Sequence, residues 1–266
     1  MKVLVLTHGE IERLMPVEVC IDVMARGLEA LARGDVHQPL RMIVRPPNAP
    51  GLMGLMPAML SGTGRKPAYG LKVVCLFADN PTRGKDIHQG SVMLFDGTTG
   101  ELVALMNASA ITAIRTAAVS GVATRLLARE DAGDLAIIGA GVQARTHLLA
   151  MAAVRRLRRV RVVSRTIERA RSLAVEMQGR VGCDIEPVAS TGQAVRGADL
   201  IVTATTSVDP VIERSWIAPG AHLNVVGSSV PCAREVDTAT ITSAALFVDR
   251  RESTLSEAGD YLLAAA

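Results

Sequence analysis

Aromatic side chains are scarce, with one Trp, two Tyr and three Phe making up 2% of 266 residues. So few rings leave little to stack on unpaired bases, and a net charge of +3 is too small for a surface that tracks phosphates. No nucleic-acid partner is therefore expected. Cysteine is sparse as well: Cys20, Cys75, Cys183 and Cys232 stand far apart without CxxC or Cys/His spacing, so neither a disulfide framework nor a metal site is expected. No uninterrupted apolar run approaches the roughly 18 residues that span a bilayer. The N-terminus also lacks the basic, apolar and small-residue order of a leader, so the expectation is a cytoplasmic protein with no membrane partner. Internal repeats and low-complexity linkers are missing, and 266 residues are enough for two domains.

What is present centres on residues 134–151. Leu135, Ala136, Ile137 and Ile138 form a short apolar run, the pattern of a strand buried on both faces. Gly139-Ala140-Gly141-Val142-Gln143-Ala144 follows directly, a GxGxxA turn into a helix. Gly139 permits the sharp turn, Gly141 lets a pyrophosphate approach the main chain, and Ala144 is small enough for the helix to pack on the strand. The free amides and positive end of that helix suit phosphates. A second strand at residues 160–163, after a helix over 142–157, completes a βαβ unit, so a dinucleotide-binding Rossmann domain is expected.

The tip of the second strand reads Ser164-Arg165-Thr166, with no acid for a ribose 2′-hydroxyl. Ser164 and Thr166 can donate hydrogen bonds and Arg165 can pair with a 2′-phosphate, which favours NADP(H) over NAD(H). The plainer reading makes Arg165 a solvated loop residue. Arg155, Arg156, Arg158, Arg159 and Arg161 form the one basic run, read as a solvated helix end.

Along the chain, residues 3–6 predict a strand and Thr7 with Glu10 a capping box. Pro16 opens a longer helix with Val19, Val23, Met24, Leu28 and Leu31 at helical spacing, ended by Gly34. Strands follow at 41–44, 51–59, 69–77, 91–95 and 101–106, the last pair joined by a hairpin turn at 96–100. A helix is expected over 109–129, capped by Ser109, with Ile114, Ala118, Val122 and Leu126 on one face. Strands near 135, 160, 184, 200, 222 and 245 then alternate with helical or turn segments, the doubly wound pattern, and residues 253–263 read as a loop and helix. The fold class is α/β: an N-terminal α+β domain over 1–118 and a Rossmann-type sheet over 119–266.

Lys72 is a single charge in an apolar strand, so it either snorkels from an edge strand or points into a pocket that takes an anion. Arg115 lies in the second turn of the 109–129 helix, where a cation is mildly unfavourable unless a carboxylate binds it. Arg41 either completes a cationic cluster or is an exposed strand residue, and His88 is either a general acid or a satisfied loop histidine. Residues 203–207 and 226–229 end strands at the carboxyl edge, where such sheets bind ligands. Ala204, Thr205, Thr206, Val226 and Gly227 are thus candidate cofactor contacts, and Ser229 is a candidate for the substrate side or for loop capping.

The segments Gln38-Pro39-Leu40-Arg41, Gly54-Leu55-Met56-Pro57-Ala58, Leu71-Lys72-Val73-Val74, His88-Gln89-Gly90, Ile111 to Ala118 and Gly139 to Ala144, in this order, resemble the ornithine cyclodeaminase/mu-crystallin family over nearly the whole chain. The resemblance implies a homodimer built through the N-terminal domain, a bound nicotinamide cofactor and a small imino or amino acid substrate. It makes Arg41, Lys72 and Arg115 the carboxylate-binding cluster and adds Thr116 to the cofactor contacts. Ornithine cyclodeaminases proper carry a catalytic aspartate where this chain has Ser229 and a glutamate where it has Gly54. Both departures, with Ser164-Arg165-Thr166, resemble the ketimine-reducing branch more closely. The family's final helix, which returns to the first domain, is expected to be absent here. The implied function is reduction of a ketimine or cyclic imine carboxylate, or the reverse amino-acid oxidation, with Lys72 or Ser229 as candidate catalytic proton donors. Two alternatives stand beside it: conversion of ornithine to proline and ammonia, and a non-catalytic NADP-binding protein.

Overall fold

Thr7 opens the first helix as its spacing with Glu10 predicts, its N–H and Oγ1 both donating to Glu10 Oε2 at 2.8 and 2.6 Å. The computed structural model describes residues 2–61 and 66–266, which divide into two units, Met1–Arg115 and Thr116–Ala266. The division falls inside one continuous helix.

The first unit holds β1 (Leu4–Leu6), α1 (His8–Leu14), α2 (Val17–Ala32), β2 (Val36–His37), β3 (Met42–Val44), β4 (Gly51–Leu60), β5 (Ala68–Phe77), β6 (His88–Asp96), β7 (Leu102–Asn107) and the start of α3 (Ala108–Leu127). Among the described residues its seven strands run in the order β1-β7-β6-β5-β4-β2, with β3 paired to β4. Only β1 joins parallel, and the β4, β5, β6 and β7 pairs are antiparallel. The hairpin between β6 and β7 closes on Asp96, whose Oδ1 accepts the N–H groups of Thr98 and Thr99, with Gly100 at φ 76°. Of the stripe predicted on α2, Met24, Leu28 and Leu31 are half-buried as expected, and its first turn is turned from the predicted place. Cys20 and Ile21 are the buried pair, whereas Val19 and Val23 are 51% and 43% exposed.

Helix α3 begins one residue earlier than predicted, and its first free amides are met by Asn107, whose Oδ1 accepts Ala110 N at 3.0 Å. Ser109 is not the cap: its hydroxyl turns away to the carbonyl of His88. The helix is also long and apolar enough to cross a membrane, contrary to the expectation that no such stretch exists. Half of that stretch is buried within the protein, as in a core helix, with Ala117 and Ala118 fully enclosed and Leu126 73% exposed.

In the second unit α3 leads to β8 (Asp134–Ile138), α4 (Val142–Val154), β9 (Arg159–Val163), α5 (Ile167–Met177), β10 (Ile185–Pro187), α6 (Thr191–Val195), β11 (Leu200–Thr203), β12 (His222–Val225), α7 (Thr238–Ser243), α8 (Arg251–Glu257) and α9 (Gly259–Ala265). All five strands are parallel, ordered β10-β9-β8-β11-β12, so the order reverses between β8 and β11. Right-handed crossovers then put α4 and α5 on one face and α6 on the other. Ala136, Ile138, Val163 and Ile201 pack with Ala194 and Val195 of α6. The strand predicted near 245 does not form; Leu246, Phe247 and Val248 are 48%, 65% and 47% exposed and join no ladder.

The basic run is a solvated helix end only in part: Arg156, Arg158 and Arg159 are exposed, but most of its arginines also have partners in the fold. Arg155 donates to the carbonyls of Thr124, Ala128 and Arg129 at 2.9, 2.7 and 2.9 Å, closing the C-terminus of α3. Arg158 and Arg159 pair with Asp134, Arg158 also with Asp199, and Arg161 is 6% exposed and donates to the carbonyls of Gln193 and Arg196. Truncating Arg155 to Ala should therefore lower unfolding free energy by about 2 kcal/mol in a urea titration, because several carbonyls lose one charged donor. Lys at this position should not restore it, having no planar fork. Leu126→Ala, on the exposed side of the same helix, should stay within about 0.5 kcal/mol of the parent.

Candidate functional site

The turn after β8 is built as its sequence predicts. Gly139 sits at φ +118°, and a Cβ there would lie 2.4 Å from the carbonyl oxygen of Ala204, so no other residue fits. Gly141 precedes α4 as its N-cap and faces open space, with nothing within 4 Å of where a Cβ would be. Ala144 is fully buried beneath. Val142, 52% exposed, and Gln143 supply the next main-chain amides of the helix N-terminus. His147 secures this first turn from below: one ring nitrogen lies 2.7 Å from Gln143 O and the other 3.0 Å from Ser120 Oγ. Burial pulls the His147 pKa down to about 4, so the ring is neutral.

A cavity of about 250 Å³ opens beside this turn, lined by Ala140, Gly141, Arg145, Ser164, Arg169 and Ser172. Arg145 reaches it while its Nε donates to both carboxylate oxygens of Glu176 at 2.7 Å. Arg169, in the first turn of α5, has no side-chain hydrogen bond or ion pair among the described residues. Of the predicted tip residues, Ser164 lines the cavity, whereas Arg165 and Thr166 are exposed beside it. Sequence reasoning missed Arg145 and Arg169. The available signal was their helical spacing: Arg169 is one turn after Arg165, and Arg145 immediately follows the GxGxxA motif.

Ala204, Thr205 and Thr206 leave β11, and Val226 and Gly227 leave the adjacent β12, so the structure brings these five to one edge of the sheet. Ser229 follows them, exposed, its N–H donating to Gly227 O at 3.1 Å. Thr116 opens the second unit directly after Arg115. These residues fit a dinucleotide: an open glycine at a helix N-terminus, an anion-friendly cavity at the second strand tip, and two loops at the reversal of strand order.

In the first unit, β5 lies between β4 and β6, so Lys72 is on an interior strand and does not snorkel from an edge. Its Nζ makes a long, 3.4 Å hydrogen bond to Thr112 Oγ1 on α3. Burial, reinforced by the guanidiniums of Arg115 and Arg41, pulls the Lys72 pKa down to about 7. The same surroundings lower His88: burial first, then Lys72 and Arg115, with Asp86 opposing. Arg115 also acts on the buried Cys20 thiol of α2, whose pKa burial raises. The structure thus gathers Arg41, Lys72 and Arg115 into one cationic group, with the His88 ring, held toward its neutral form, beside Lys72 and Arg115. Gly54, paired with Val74 and Ile43, is enclosed, so this position offers no carboxylate.

Comparison with known proteins accords with this geometry. The profile of the ornithine cyclodeaminase/mu-crystallin family matches residues 1–265. The mouse protein named ketimine reductase mu-crystallin is 38% identical over 251 residues, 94% of this chain and 77% of its own. Among solved structures, Δ1-pyrroline-2-carboxylate reductase of Thermococcus litoralis, in complex with NADH and L-proline, superposes with a TM-score of 0.93 at 37% identity, covering 98% of this chain and 80% of that one. An archaeal alanine dehydrogenase dimer with bound NAD superposes with a TM-score of 0.91 at 27% identity, covering 100% of this chain and 80% of the other. The chain belongs to the ornithine cyclodeaminase/mu-crystallin family.

Proposed function

We propose that this protein is a nicotinamide-dependent reductase of small imino acids, converting a ketimine or cyclic imine carboxylate to the amino acid or running the reverse oxidation. The observation that carries the reading is Lys72, an ammonium half-buried on an interior strand with two guanidiniums acting on it. Such a group gains most from a bound carboxylate, which offsets both desolvation and mutual repulsion. The ketimine reductase and the proline-bound pyrroline-2-carboxylate reductase among its relatives support the same reaction class.

When bound, the cofactor supplies a hydride. The chain's own residues would do the rest. Arg115 and Arg41 offer planar forks to the carboxylate, fixing the orientation of the carbon next to it. With its pKa near neutrality, Lys72 Nζ carries a proton it can also give up, and a bound carboxylate raises the protonated share, so it can protonate the imine nitrogen, with Ser229 Oγ as the second candidate. For the cofactor we favour NADP(H). Arg165 and Arg169 both stand near the tip of β9, Arg169 and Arg145 line the cavity there, and no acid occupies Ser164 to Thr166. A homodimer through the first unit's sheet is part of the reading. The archaeal dimer supports it, as does the sheet face opposite Lys72, where Met53 and Tyr69 are 39% and 49% exposed. Conversion of ornithine is disfavoured by Ser229 and Gly54, which remove the two carboxylates that family branch uses.

Mixing the protein with NADPH and a panel of cyclic imino acids should give imine-dependent loss of cofactor absorbance, faster than with NADH. Proline and ammonia from ornithine with catalytic NAD, and no consumption with any imine, would overturn the proposal. In kcat/KM against pH, activity should fall by about tenfold per unit above a break near 7, because loss of the Lys72 proton weakens carboxylate capture. Lys72→Arg, which keeps the charge but does not give up a proton, should lower kcat and leave a residual activity without that break; an unchanged break would assign it to another group. Replacing Arg165 and Arg169 by Ser should weaken NADPH binding by about tenfold to a hundredfold while leaving NADH nearly unchanged, as expected for lost charged hydrogen bonds to a 2′-phosphate.

A further inference from the structure

Glu235 is fully buried in the second unit and forms no ion pair among the described residues. Its carboxylate is nevertheless saturated. Oε2 accepts Thr203 Oγ1 at 2.7 Å and Gly227 N at 2.6 Å, while Oε1 accepts Thr205 N at 2.6 Å. Two of these donors belong to the end of β11 and the loop after it, and the third to the loop after β12. Gly227 could not be any other residue, because a Cβ would lie 2.6 Å from the Glu235 carboxyl and 2.2 Å from Thr205 O.

The glutamate's own backbone is held as firmly. Asp260, 7% exposed at the start of α9, accepts Glu235 N and Val236 N on one oxygen at 2.8 and 2.9 Å. Gly259 beside it comes so close that a Cβ would lie 2.0 Å from Ala233 O. Ser228 Oγ donates to Ala233 O at 2.7 Å and accepts Asp260 N at 3.1 Å. A carboxylate pinned from behind and bonded to main-chain amides of two loops fixes the gap between them. A buried acid is seldom the most stable filling for such a gap, since apolar residues of similar volume usually serve at least as well. Its location therefore matters: the loops it joins are those that leave the carboxyl edge, where the strand order places the far half of a dinucleotide.

We infer that Glu235 is a positioning residue for the nicotinamide half of the cofactor, setting the spacing of the loops after β11 and β12 without touching the ligand. The inference rests on the dinucleotide reading of this unit, and on nothing in the choice of substrate. Its chemistry is asymmetric. The adenylate half lies at the β8 turn and the β9 tip, which Glu235 does not contact, so only one half of the cofactor should sense its loss.

The test measures binding to the full chain of NADPH and NADH, each beside its adenylate half, 2′,5′-ADP or ADP, in the parent and in Glu235→Gln, Glu235→Ala and Thr203→Val, with melting temperature recorded for each. Glu235→Gln should weaken the whole dinucleotide by about tenfold or more, because an amide presents a donor to one of the main-chain N–H groups, while the adenylate half stays within about twofold. Glu235→Ala should lose more than Gln, and Thr203→Val, which removes one donor and keeps the carboxylate, should lose less in the same direction. If the alanine variant does not fold, the Gln and Val variants decide. Parallel weakening of dinucleotide and adenylate half, or parent-like binding of both, would overturn the assignment. A parent that binds neither dinucleotide would instead remove the reading on which it rests.

Discussion

The second unit depends on a contact with no room for a methyl group. Gly139 N donates to Val163 O at 2.9 Å and Ala204 N donates to Ile138 O at 2.8 Å, so the ends of β9, β8 and β11 are laced together at the point where strand order reverses. The Ala204 carbonyl occupies the place a Cβ at Gly139 would need. Two sheet halves diverge from this seam, and divergence leaves the loops above it free to bind something. Gly227 repeats the device one strand further on, where the group filling the absent side chain's place is the Glu235 carboxylate.

The two units solve opposite charge problems. In the second, the buried carboxylates are satisfied by donors the fold supplies: Asp260 takes Glu235 N and Val236 N, and Glu235 takes two amides and a hydroxyl. Burial still pushes the Glu235 carboxyl upward, against the pull of Thr203, Thr205 and Gly227. In the first, the charges that act on the half-buried Lys72 are both positive. The acids of one unit are met by donors of the fold, whereas the Lys72 ammonium of the other is pushed toward its neutral form by burial and by neighbouring positive charge.

The features legible in the sequence were those whose cause is local. A GxGxxA turn, a Thr7/Glu10 capping box and a hairpin at Asp96 to Gly100 depend on residues a few positions apart, and all form as the pattern requires. The misreadings share a different cause. Arg155 looked like a solvated helix end because its partners, the carbonyls of Thr124, Ala128 and Arg129, lie at the end of another helix and just beyond it, about 30 residues earlier. Ser109 had the chemistry of a cap, but Asn107 stood nearer the first free amide. Leu246, Phe247 and Val248 had a strand's composition, yet composition does not supply a paired neighbour. Glu235 was invisible for the same reason as Arg155: its donors are up to 32 positions away and two of them are main-chain groups that carry no residue identity.

The absent carboxylates bear on specificity as much as the cations present. On the proposed reaction, a diamino acid would bring a second ammonium toward Arg41, Lys72 and Arg115, and an added positive charge near them is repelled unless an acid receives it. Gly54 carries no acid to receive it. A cyclic imine carboxylate carries one negative charge and a nitrogen that is neutral until protonated, so it meets the cluster with attraction and no counterpart repulsion. On the proposed reaction, discrimination against diamines therefore follows from the acid the cluster omits, which is selection by repulsion of the wrong ligand as well as attraction of the right one.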